Sequence, residues 1–78
     1  MPECEDAVEV ARVREWLRSG RVRELRARHG LSCGEMARTL AVEVSTYSRW
    51  EKGQRVPRPA AARDLASLLR ALSELDTI

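Results

Sequence analysis

The 78-residue chain has no phenylalanine, a single tyrosine, a single histidine and only two cysteines. Each scarcity removes a class of function. With His29 alone, no nucleophile–base pair can be assembled, and there is no glycine-rich phosphate loop, so an enzyme is not expected. Cys4 and Cys33 are too few for a disulfide framework. They also lack paired C-x-x-C spacing, so neither a metal site with His29 nor any other cofactor is expected. No signal-like or membrane-spanning apolar run is present, which gives the expectation of a reduced, cytoplasmic protein with no membrane contact. Nothing alternates with period two for long enough to make a sheet. Hydrophobic content of 44% with a third of the residues charged fits a small folded helical domain. The expected fold class is all-α, near the lower size limit for an unstapled core.

Charge is abundant and segregated. Residues 1–11 carry Glu3, Glu5, Asp6 and Glu9 and no basic side chain. Residues 12–63 carry 13 of the 14 basic side chains against five acids, a balance of +8. Such a concentration is the electrostatic footprint of a phosphate-binding surface, although solubility is the simpler reading of any one arginine.

Apolar spacing predicts a helix over residues 5–18, with Val8, Val10 or Ala11, Val13, Trp16 and Leu17 as its stripe. Its acids lie at the start and its arginines at the end, matching the helix dipole. Ser19 is placed to cap a second helix, about 20–28, that turns Val22 and Leu25 inward and ends at His29-Gly30. Ser32 and Glu35 form an S-x-x-E capping box for a third helix, with Met36, Ala37 and Leu40 on one face. Ala41-Val42 connect to a fourth helix, Val44–Lys52, ended by Gly53. Tyr47 and Trp50 are read as core in preference to base-stacking aromatics. Pro59 can open a last helix whose Leu65, Leu68, Leu69, Leu72 and Leu75 recur at three- and four-residue steps. Two short helices joined by a tight turn are a helix-turn-helix, a unit that binds DNA by laying its second helix in the major groove.

Residue identities sharpen that reading. Arg26 in R-E-L-R-A-R-H-G-L, Met36-Ala37, the run Ser45–Gly53 and Pro57 together resemble the helix-turn-helix family of phage Cro proteins and repressors, the XRE type. The likeness runs from Arg21 to about Leu69. It departs at Cys33, where Gln is common, and at Glu43 and Val44, where small polar residues and Gln are usual. The resemblance implies a compact phage-repressor-type bundle of four to five helices over 21–78. Residues 1–20 form an extra acidic amphipathic helix.

The resemblance further implies a sequence-specific regulator of double-stranded DNA, a small Cro-like repressor or autoregulator of phage or antitoxin type. The base readers carried over are Glu43, Val44, Ser45 and Arg49, with Glu43 equally readable as a helix cap. Arg can pair with guanine, Val can pack on a thymine methyl and Glu can accept from cytosine. Backbone contacts fall to Arg21, Arg23, Ser32, Cys33, Thr46, Ser48, Lys52, Gln54, Arg55 and Arg58, whereas Arg38 reads equally as a solvated residue. Arg26 and Glu51 are expected to form a structural ion pair. A homodimer on a palindromic operator is expected, through Leu68, Leu72 and Leu75, because Leu72 and Leu75 lie beyond a four-helix core. The alternative is a protein-binding adaptor that uses the N-terminal helix with Trp16 and Leu17.

Overall fold

The computed structural model describes residues 2–76, with side chains from Ala7 to Asp76. Five helices follow one another: α1 (Pro2–Ser19), α2 (Arg21–Arg28), α3 (Cys33–Thr39), α4 (Val44–Glu51) and α5 (Pro59–Asp76). No strand occurs among the described residues.

The three short helices, α2, α3 and α4, stop in the same way. Each is followed by a residue of positive φ, namely Gly30 (69°), Ala41 (57°) and Gly53 (75°). After each, the chain folds back with the amide pairs of a Schellman motif. Leu31 N–H donates to Arg26 C=O at 3.0 Å, Val42 to Ala37 at 2.9 Å and Gln54 to Arg49 at 2.9 Å. Glycine takes this conformation freely, whereas Ala41 holds it at a cost of about 1–2 kcal/mol. Leu31 and Val42, which follow two of these stops, pack against the core.

At the start of α3 the capping box is complete. Ser32 Oγ accepts from the Glu35 amide at 3.0 Å, and the Ser32 amide donates to the Glu35 carboxylate at 2.9 Å. The amide bond comes first among the causes that hold the Glu35 carboxyl below the usual range, followed by the bond to the serine side chain. Ser19 does not act in the same way. It is the last residue of α1, and its hydroxyl donates to the Trp16 carbonyl at 3.2 Å. A residue still inside a helix cannot take the extended geometry of a cap. Gly20, at φ 83°, starts α2 instead, without a side-chain cap.

One hydrophobic core takes residues from all five helices. α1 gives it Val10, Val13 and Leu17, a three- and four-residue stripe, with Trp16 half-buried beside them. Val8 falls off that stripe, two residues before Val10, and is 53% exposed. The expectation for Leu72 is also overturned, since it is 6% exposed inside the core of its own chain. Both α1 and α2 pack against α5, and the core they form with it extends to Leu72. Leu68 is partly covered, and Leu75 is 56% exposed.

Candidate nucleic-acid interface

What sets the attitude of α4 is a polar network beneath it. Arg26 of α2 donates from Nε and one terminal nitrogen to the two oxygens of Glu51, at 2.8 and 3.0 Å. Its other terminal nitrogen donates to the Leu31 carbonyl at 3.0 Å. The Tyr47 hydroxyl donates to the same carboxylate, and the Cys33 Sγ lies 4.0 Å from it. The pair is well covered, with side-chain exposures of 16% for Arg26 and 8% for Glu51.

Burial pushes the Glu51 carboxyl up. The hydrogen bonds from Arg26 and Tyr47, together with the Arg26 charge, outweigh it and hold the group below the usual carboxylate range. The bond to Glu51 raises the guanidinium of Arg26. Burial, reinforced by the same carboxylate, raises the phenol of Tyr47, so it remains a donor. Tyr47 and Trp50 are core residues, 0% and 4% exposed, and meet edge-on with ring centres 6.0 Å apart.

With Tyr47 and Trp50 turned inward, α4 turns Ser45 and Arg49 outward, Lys52 just past its end continues the row, and all three are exposed. Glu43 and Val44 are exposed at its start, Val44 by 51%. Glu43 precedes the first helical residue but makes no side-chain cap bond, so its carboxylate is not committed to the helix. An open groove of about 500 Å³ brings Glu43, Val44 and Ser45 together with Arg38 and Gly34 of α3. Beyond α4, Lys52, Gln54, Arg55 and Arg58 are exposed. Thr46 borders the adjoining cleft with Arg55, Val56 and Arg58. Ser48 is half-buried.

Not every candidate reaches this surface. The Cys33 thiol is half-buried and faces Glu51, which leaves only its backbone for an outside partner. Ser32 is exposed, but its amide is already engaged by Glu35. Arg21 lines a different cleft with Arg12, Trp16, Leu25 and Leu69. Arg23 is exposed and near enough to Glu51 to lower its carboxyl.

The helix-turn-helix domain family matches residues 19–77, which is most of the chain. The chain belongs to that family. The match starts at the end of α1 and runs through α2 to α5, so it includes the network, the exposed row of α4 and the basic loop. No curated protein and no solved structure shows a significant match. Among the described residues no helix is long and apolar enough to cross a membrane. Sequence reading missed two parts of this helix-turn-helix protein's network, the Tyr47 hydroxyl and the Leu31 carbonyl. The four-residue step from Tyr47 to Glu51 is a signal that could have found the first.

Glu51→Gln strands the Arg26 charge and is expected to destabilise the domain by about 3–5 kcal/mol near neutral pH. Because the folded carboxyl lies below its unfolded value, its stabilisation is complete above the usual carboxylate range. It is lost as pH falls through the folded value. Thermal melts of wild type and Glu51→Gln should therefore converge as acid is added. A gap in melting temperature that stays constant down to pH about 3 contradicts this account.

Proposed function

We propose that this chain is a sequence-specific double-stranded-DNA-binding transcriptional regulator that lays α4 in the major groove. The observation that carries the proposal is the exposed row on α4, held by buried Tyr47 and Trp50 and part-buried Glu51 and continued by a basic loop. Glu43, Val44, Ser45 and Arg49 are the base readers. With its carboxylate uncommitted, Glu43 is available to accept from cytosine N4. Lys52, Gln54, Arg55 and Arg58, with Arg23, Thr46 and Ser48, hold the phosphate backbone, as do backbone amides beside Ser32 and Cys33. Arg21, facing the other cleft, is left out of this set.

The protein acts as a small repressor or autoregulator of the Cro type in the cytoplasm, as a homodimer on a palindromic operator. A C2 dimer would set two α4 helices about one turn of DNA apart. Since Leu72 belongs to the core, the apolar surface left on α5 is Leu75 with the uncovered part of Leu68. The adaptor reading has less to present. Leu17 is buried, and Trp16 is half-covered in the α1–α2–α5 cleft.

Selection of bound sequences from random duplexes tests the proposal, which expects a two-fold-related pair of half-sites. On the selected site, Arg49→Ala should cost about 1–3 kcal/mol and remove preference at one base pair, with the melt unchanged. Equal weakening on selected and random duplexes would make Arg49 a phosphate contact instead. Leu75→Glu should leave the fold intact and convert the dimer to monomer by sedimentation. If the variant stays dimeric, the interface is elsewhere.

A further inference from the structure

Helix α1 precedes the family match almost entirely, yet its C-terminal half lies beside the end of the recognition helix. Arg14 and Arg18 line one cleft, of about 170 Å³, with Trp50, Gly53, Arg55 and Val56. Three guanidinium-bearing residues from two distant segments therefore border a single opening at the edge of the α4 surface.

The two α1 arginines are one helical turn apart on the same face, and both are exposed. Arg14 makes no ion pair among the described residues. Arg18 pairs with Glu15 at 2.7 Å, but the two side chains are 75% and 62% exposed. So exposed a pair has little net worth, and its arginine can exchange to a stronger anionic partner. The platform is rigid, because Val13 and Leu17 of the same turns are buried in the core.

The acidic start of α1 does not cancel this patch. At about 1.5 Å per residue, Glu3, Glu5 and Asp6 sit about 12 Å or more along the axis from Arg14. That exceeds the screening length of about 8 Å at physiological salt. Glu9 is nearer, and it is ion-paired with Arg70 of α5. The basic end of α1 thus stands next to the loop that carries Arg55, and the acidic end points away along the helix.

We infer that Arg14 and Arg18, with Arg55, form a second phosphate clamp that grips duplex DNA just outside the half-site read by α4. The inference rests on the DNA-binding reading above. It gives α1 a role that extends the footprint without contributing sequence preference, since guanidinium–phosphate contacts position but do not specify.

The test is the double variant Arg14→Gln with Arg18→Gln, titrated between about 50 and 200 mM salt against the selected duplex and an unrelated one. Loss of two phosphate contacts per protomer, four in the dimer, is expected to make the log–log salt slope shallower by about 3.6 on both duplexes. The melting temperature should not change, and trimming the flanks of the duplex should abolish the difference between variant and wild type. Arg12→Gln is the control. It removes one arginine charge from the other side of α1, beside Trp16 and Arg21, and should leave the slope as in wild type. An unchanged slope in the double variant, or an equal loss in Arg12→Gln, overturns the clamp while leaving α4 as the reader. If wild type binds no duplex at all, the DNA-binding reading falls and the clamp with it.

Discussion

The orientation of the recognition helix depends on one partly buried carboxylate. Glu51, at the end of α4, accepts two bonds from Arg26 of α2 and one from Tyr47 a turn earlier. A partly buried charge is tolerated only when its lone pairs are filled. Only one attitude of α4 relative to α2 fills them. The same guanidinium reaches the Leu31 carbonyl, so the turn that leads into α3 is tied to the same point. Moving α4 by an ångström would cost several hydrogen bonds together. If α4 reads base edges as proposed, the match needs a constraint of that stiffness beneath it.

Around that point the chain uses short helices with firm stops. The Schellman ends of α2, α3 and α4 leave few residues between them to flex. They also turn Leu31 and Val42 back onto the core, so each stop adds packing as well as direction. The long helices do different work. α1 and α5 pack along one another and enlarge a core that the helix-turn-helix unit alone would leave thin. α1 is therefore a buttress for the family's fold as well as an addition to it.

Local chemistry was the legible part. The capping box of Ser32 and Glu35, the stop at Gly53, the start at Pro59 and the inward faces of α2 to α4 depend on residues within a turn or two of one another. What the sequence hid was tertiary. Leu72 reads as surplus until α1 and α2 are seen packed on α5, and no spacing within α5 records that cover. Val8 looks like part of an apolar stripe until the core selects the face of Val10, Val13 and Leu17. Ser19 has the chemistry of a cap, but the helix simply runs through it to Gly20. Cys33 stands where a side-chain contact to DNA is usual, and only the fold shows its thiol facing Glu51. The surface residues of α4 were readable as exposed.

The central claim is that the buried network presents the outer face of α4, with the loop after it, to DNA. Chemical-shift mapping of the labelled protein with a selected duplex tests this most directly. The account predicts that the largest amide shifts fall in the first turn of α3, in residues 43–49 and in the loop 52–58. The face of α5 around Leu69 should stay still. Shifts concentrated instead in the cleft of Trp16, Leu25 and Leu69, with α4 unmoved, would contradict it.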